Sequence, residues 1–456
     1  MAIKDLLRNL PEVRKPIEKR LSFNVKLKWT LIVLTSFFVL ANIPLFGLAS
    51  NALSRFEYLA IILGTDFGSI ISLGVGPIVM ASIILQLLVG ADILKIDTKT
   101  DEGKRYFQAL QKLLVLFFII FEASIYVLMK GLAALPGLSW LVIFQLCIGG
   151  LLIMFLDEVS SKWGFGSGVS LFIAAGVGWR LFAQLFQFVG KVGGNITIQP
   201  SGKILVMILS IMGGDVTSAL KAGVAILVTA LIFLFVVFAQ SLKVEVPLSY
   251  DRLRGYGIKW PLSFFYASVI PVILTSALIA NISLFAGILE NWLGHATFLG
   301  GFSNGQAISG LAFWASHSNL VELAITGSLR VVQIFQGVVH LSVYIILSTV
   351  FAIFWVKTSG MDAASQAKNI MSSGLQIPGF RKDERVLESV LERYVLPLTV
   401  MGGIGIGILA ASADLLGALT SGTAILLGVM IMYQFYNSIA QQHALDMHPM
   451  MKKMVA

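Results

Sequence analysis

The chain has 456 residues, 57% of them hydrophobic and only 12% charged, with a formal net charge of +9. Soluble domains carry about 25% charged residues, so this composition, with a mean hydropathy of +0.87, indicates a polytopic membrane protein. The single cysteine, Cys147, excludes a disulfide framework or a thiolate metal site within the chain.

The opening stretch, MAIKDLLRNLPEVRKPIEKRLSF, has no continuous apolar run and is not a cleavable signal peptide. Residues 1–28 read as a cytoplasmic amphipathic segment with Ile3, Leu6, Leu7 and Leu10 on one side. About ten spans follow by length and hydropathy. They run near Trp29–Leu48, Ile70–Leu94, Leu113–Leu132, Leu138–Leu156, Gly168–Val189, Val224–Gln240, Leu262–Leu289, Val331–Val356, Leu396–Leu416 and Ala424–Ala440. This predicts an all-α fold in two five-helix halves, 29–190 and 224–440. An outer loop over 191–223 joins them, cytoplasmic loops lie at 241–261 and 357–394, and a cytoplasmic tail covers 441–456.

The first two spans flank an interrupted stretch. Phe56, Leu59, Ala60 and Leu63 recur at helical spacing, yet the segment is far short of the roughly 20 apolar residues that cross a bilayer. Gly64, Gly68, Gly74, Gly76 and Pro77 follow. Broken backbone at membrane depth is tolerated only against protein or a water-filled cavity. The stretch therefore predicts a cavity with a half-helix in its mouth.

Lys and Arg placement sets the orientation. With the N-terminus in the cytoplasm, cytoplasmic segments hold about 26 of the 33 basic residues, which predicts both termini inside. Most of the positive charge is thus topological, and a share of it suits an acidic partner such as ribosomal RNA. The halves also resemble each other. Pro77-Ile78-Val79-Met80-Ala81-Ser82 in the second span matches Pro271-Val272-Ile273-Leu274-Thr275-Ser276 in the seventh. Five spans per half makes this an inverted repeat, which puts the working site near the midplane and pairs Val79 with Ile273.

The spans hold few ionisable groups, chiefly Glu122, Arg180 and Asp414, and the helices at Pro77 and Pro271 hold none. A secondary transporter of a small solute, the alternative reading for an inverted repeat, is expected to place ionisable groups there. An apolar constriction dewets and closes to small solutes, yet seals softly around a passing polypeptide. Catalysis has little support. There is no His-Glu-x-x-His, the five histidines are scattered, and Gly213-Gly214-Asp215 carries Met212 where an aspartyl protease motif needs glycine. Asn195-Ile196-Thr197 has no assigned role, and no cofactor motif is present.

Several long motifs occur in one order: LKWT (27–30), LGVGPIVMASIILQLLVG (73–90), DEVSSKWGFGSGVSLFIAAGV (157–177), IPVIL (270–274), PGFRKDER (378–385) and LPLTVM followed by SGTAILL (421–427). Across essentially the whole chain they resemble the SecY family, the large subunits of Sec protein-conducting channels, most closely the archaeal form. The resemblance implies a pore ring at Val75, Val79, Val169, Ile173, Ile273 and Leu427. Three of these are valine, so the ring is slightly wider than an all-isoleucine one. It implies a plug over 53–67, including Arg55, Phe56, Leu59, Ala60 and Leu63. It implies a lateral gate between the second and third and the seventh and eighth spans, with Gln86, Glu122 and Asn281 holding it shut by hydrogen bonds. Met80, where relatives often carry Thr, thins that cluster. Ribosome or other partner docking falls to Arg252, Arg254 and Lys259 in one loop and to Arg381, Lys382 and Arg385 in another. The resemblance further implies SecE-type and Sec-beta-type small subunits and a place in the plasma membrane. No Gly-x-x-x-x-Gly-Lys-Ser/Thr motif is present, so the driving energy comes from a partner.

Overall fold

The computed structural model describes residues 11–18, 21–48, 68–90, 93–96, 100–128, 132–188, 190–192, 195–197, 202–250, 257–267, 270–303, 306–372, 375–376 and 383–447. Within them the first half of the bundle is α1 (Phe23–Ala41), α2 (Gly76–Gly90), α3 (Asp101–Leu128), α4 (Ser139–Trp163) and α5 (Gly168–Phe186). A hairpin of β1 (Gly190–Val192) and β2 (Asn195–Thr197) leads to α6 (Lys203–Met212). The second half comprises α7 (Val216–Ser241), α8 (Ile270–Leu293), α11 (Val331–Thr358), α13 (Glu384–Leu416) and α14 (Gly422–Met447). Short elements fill its connections: β3 (Lys243–Tyr250), β4 (Gly257–Ser263), β5 (Gly301–Ser303), β6 (Gln306–Ser309), α9 (Gly310–Ala315), α10 (Leu320–Ile325), α12 (Ala363–Ser372) and β7 (Leu375–Gln376).

Nine of the described helices are long and apolar enough to cross a membrane, and α2 and α6 are shorter apolar helices. The chain is a multi-pass membrane protein. The expected span from Ile70 to Leu94 is thus corrected to the 15 residues of α2. Residues 68–75 instead form successive turns, because Gly68 and Gly74 take positive φ and Pro77, lacking an N–H, favours the first turn of a helix. The seventh span starts at Ile270 and not at Leu262, since Leu262 pairs with Val244 in a β-hairpin. Two charged approaches continue as helix into the membrane: α3 begins at Asp101 and α13 at Glu384.

The halves meet along two seams. Helix α2 packs on α8 and α11, and α5 packs on α14. One apolar core runs through both, while large side chains such as Leu231, Leu234, Phe335 and Val338 face outward, as lipid contact requires. A second core lies at one end of the bundle, where Val246, Leu262, Ala367, Ile370 and Leu391 pack together. It carries a three-stranded antiparallel sheet in the order β4-β3-β7.

Residues 11–14 are not helical and strap the end of α4. Val13 N–H donates to Glu158 at 2.9 Å, Lys162 donates to Glu12 at 2.5 Å, and Trp163 Nε1 donates to the Arg14 carbonyl at 2.9 Å. The amphipathic residues Ile3, Leu6, Leu7 and Leu10 lie outside the described residues.

Candidate conducting pore

The expected ring residues stand at or beside the starts of four helices, α2, α5, α8 and α14, and local chemistry fixes each. Val75 and Val79 sit at the start of α2. The turn before them is held by Leu45 N–H donating to the Gly68 carbonyl at 2.7 Å and Ile70 N–H donating to the Ile43 carbonyl at 2.9 Å. It is pressed onto α4 at Gly149, where an added Cβ would lie 1.9 Å from the Ile70 carbonyl oxygen. Val169 and Ile173 lie in the first turns of α5. Asp157 at the end of α4 accepts the Val169 N–H at 2.9 Å, and Ser160 Oγ donates to the Gly166 carbonyl at 2.8 Å. The GFGSG turn is thereby fastened to α4, and a carboxylate satisfies the free N–H groups that every helix start exposes.

Ile273 is the fourth residue of α8. Pro271 takes the second position of α8 as Pro77 does of α2, so the repeat in sequence is a repeat in structure. Leu427 stands near the start of α14. Its register is set by Asp414, which accepts the Gly422 N–H, and by Thr229 on α7, which accepts the Leu419 N–H at 2.9 Å. Gly422 has no room for a side chain, since an added Cβ would meet the Ala413 carbonyl carbon at 2.4 Å. Helices α2, α8, α14 and α5 adjoin in that order. Val75, Val79, Ile173, Ile273 and Leu427 are buried in one cluster, and Val169 packs against it.

The expected gate residues are all buried: Gln86 on α2, Glu122 on α3 and Asn281 on α8. They do not hydrogen-bond one another among the described residues, contrary to the expectation. Asn281 donates to the Ala277 carbonyl of its own helix at 2.8 Å. Gln86 Oε1 and both Glu122 oxygens find no partner. The polar link across α2 and α3 is instead Gln111 to Ser82 at 2.7 Å. At the end of α2, Gly90 lies so close to α11 that an added Cβ would be 3.2 Å from Phe354 Cβ.

The expected plug residues Arg55, Phe56, Leu59, Ala60 and Leu63 lie outside the described residues, as do Arg252, Arg254, Arg381 and Lys382. Lys259 on β4 is exposed and pairs with Glu245 at 2.6 Å, which holds its ammonium above the usual lysine range through that hydrogen bond. Arg385 lies in the first turn of α13, where its N–H donates to Asp383 at 3.0 Å. Strand β7 pairs with β3 at Ser249–Gln376 and Tyr250–Leu375, so Tyr250 and Gln376, the last described residues before the two basic loops, belong to one two-residue pairing. One polar cluster went unforeseen: His317, His340 and Asp414 converge. His340 within the eighth span was the available signal, because ionisable groups in spans are costly.

The family model for SecY matches residues 69–436. The chain belongs to the SecY family. The protein translocase subunit SecY of Methanothermobacter thermautotrophicus is 44% identical over 448 residues, covering 97% of this chain and 96% of that one. A solved protein-conducting channel superposes with a TM-score of 0.84 at 36% identity, covering 98% of both chains. Sec61 in the canine ribosome-channel complex of the endoplasmic reticulum superposes at 0.81 with 34% identity, covering 98% of both chains. The chain is a subunit of a protein-conducting channel that passes polypeptides across the membrane.

Proposed function

We propose that the translocating chain passes between α2, α5, α8 and α14, through the apolar constriction of Val75, Val79, Val169, Ile173, Ile273 and Leu427. What supports this is that the six come from the starts of four adjoining helices and that five of them are buried in the apolar core shared by both halves, with Val169 packed against it. Apolar side chains dewet the passage when it is empty and yield around an extended chain of any sequence. Residues 53–67, on the chain between α1 and α2, act as the plug. Apolar segments leave through the seam of α2 and α3 against α8 and α11, which is poorly sealed by hydrogen bonds. Partition into lipid sorts them.

Both termini and the β4-β3-β7 sheet face the cytoplasm, as the basic residues favour, and the membrane is the plasma membrane. The two basic loops beside that sheet dock the ribosome or another driving partner, since Arg and Lys engage phosphates. This reading is supported by the likeness to Sec61 in a ribosome-channel complex. SecE-type and Sec-beta-type subunits complete the channel, which is a passive conduit without a catalytic centre.

A disulfide across the gate tests this. In a Cys147→Ser background, Gly90→Cys with Phe354→Cys starts with Cβ atoms 3.2 Å apart, close to the roughly 3.5–4.5 Å a disulfide spans. Oxidation should block both lateral insertion and export of a secretory precursor in membrane vesicles, and reduction should restore them. Export and insertion unaffected by a fully formed bond would refute the gate.

A further inference from the structure

At the end of the bundle opposite the β4-β3-β7 sheet, three segments converge on a buried polar cluster. His340 lies in α11 and is 1% exposed; Asp414 lies near the end of α13 and is 4% exposed. His317 belongs to the loop between α9 and α10, and the three candidate donor atoms lie within 4.8 Å of one another. This loop is laced to α11. Gln336, one turn before His340, donates to the Phe313 carbonyl at 2.8 Å and accepts from Ser318 Oγ at 2.7 Å. His317 sits between anchored neighbours.

The hydrogen-bond geometry leaves a place for a cation. His340 Nδ1 lies 2.7 Å from the Ala315 carbonyl oxygen. A carbonyl only accepts, so Nδ1 carries the proton and Nε2 of the neutral ring presents a lone pair. That Nε2 is buried without a hydrogen-bond partner and faces Asp414 Oδ2 at 3.7 Å. With the ring neutral, two lone pairs aimed at one another repel unless something positive, a proton or a metal ion, lies between them. The other Asp414 oxygen already accepts the Gly422 N–H. A histidine fixed by donating one ring N–H to a backbone carbonyl, beside a hydrogen-bonded carboxylate, is the arrangement that orients metal ligands.

We propose that His317, His340 and Asp414 bind one divalent transition-metal ion of the zinc type. Two imidazoles and a carboxylate suit such an ion, leaving one coordination position for water. Bonds of about 2.0–2.1 Å in a tetrahedral site set donors roughly 3.4 Å apart, so His340 and Asp414, at 3.7 Å, need little adjustment, and His317, within 4.8 Å of both, closes by at most about 1.4 Å. The ion staples the loop to α11 and α13. Through the Asp414–Gly422 contact it also stiffens the start of α14, five residues before Leu427.

The test uses the full chain with its small membrane subunits in lipid nanodiscs, carrying a tag without histidine. His443 and His448 of the tail are replaced by Gln to remove competing ligands. After chelation, Co²⁺ is titrated in and followed by its visible absorption and by metal content after gel filtration. One equivalent with the absorption of a four- or five-coordinate ion, displaced by Zn²⁺, is expected, together with a higher thermal midpoint. His340→Gln and Asp414→Asn should abolish binding. His317→Ala alters a half-buried loop side chain, so it should leave the metal-free thermal midpoint unchanged while weakening binding at least tenfold. It decides the matter even if the buried variants fail to fold. Absence of stoichiometric binding, or binding undiminished in His317→Ala, overturns the proposal and leaves a proton between His340 and Asp414.

Discussion

Truncating a ring residue and a packed core residue should give opposite signatures. Ile273 and Leu146 are both nearly inaccessible, at 7% and 0%. Leu146 is fully enclosed in the helix core, so Leu146→Ala should cost about 2–5 kcal/mol through lost contacts and the cavity left behind. Ile273→Ala removes three carbons, a loss of about 2.4 kcal/mol at about 0.8 kcal/mol each if all are packed. If its tip faces the passage instead, few contacts are lost and no enclosed cavity forms, so we expect about 1 kcal/mol or less by the same reckoning. The removed carbons should appear as function. A wider, more easily wetted constriction should raise resting ion conductance across proteoliposomes severalfold. Thermal unfolding of the purified complex and a dye-based ion-flux assay read the two quantities. An Ile273→Ala variant as destabilised as Leu146→Ala, with no added flux, would place Ile273 in ordinary packing and refute the reasoning.

Three further outcomes are expected. Gly422→Val should destabilise the complex by more than about 3 kcal/mol, in the range of severe overpacking, because its side chain would overlap Ala413; an unchanged thermal midpoint would contradict that. Glu122→Leu replaces buried oxygens that lack partners with apolar surface, so the closed gate gains stability. A hydrophobicity-graded series of test segments should then need about one additional leucine, about 0.5 kcal/mol, for half-maximal insertion. The Glu12 carboxylate is held below the usual carboxylate range, first by its hydrogen bond to Lys162. A lowered pKa means that the charged form favours the folded strap, so this contribution is full at neutral pH and fades as pH falls below about 4. Relative to the intrinsic rate, which itself slows as pH falls, exchange of the Val13 amide hydrogen should lose protection more steeply on acidification in the unsubstituted chain than in Glu12→Gln, and equal pH profiles of protection would dismiss the contact.

Hydropathy located the spans because each is long, apolar and nearly free of charge. It misplaced helix starts where sequence changes character without structure changing: α3 and α13 enter through charged turns, and nothing in Asp101–Lys112 or Glu384–Arg393 forbids helix. The hairpin in the 241–261 loop had a signal in the alternation Val244, Val246, Leu248. Val246 is buried while its neighbours Glu245 and Pro247 are exposed, as a period of two requires; Val244, on the same face as Val246, lies beyond the covered part of the sheet and is exposed. Pairing β7 with β3 joins residues over 120 positions apart, which no local pattern encodes. The resemblance and the repeated proline gave the expected ring positions, and the packing adds only that they lie in or against the apolar core. The gate's hydrogen bonds were not legible, since whether Asn281 turns to its own helix or across the seam depends on packing. Likewise His317, His340 and Asp414 are far apart in sequence, and only the helix arrangement joins them.

The central claim is that a polypeptide threads the constriction. A disulfide trap tests it most directly: Cys147→Ser, single cysteines at Val79 and Leu427, and a stalled secretory chain carrying one cysteine in mid-transit. Cross-links should form at both positions and be absent for a cysteine at Leu31, which is exposed on α1. No cross-link at either position, in membranes where the chain is demonstrably in transit, would mean that polypeptides take another route.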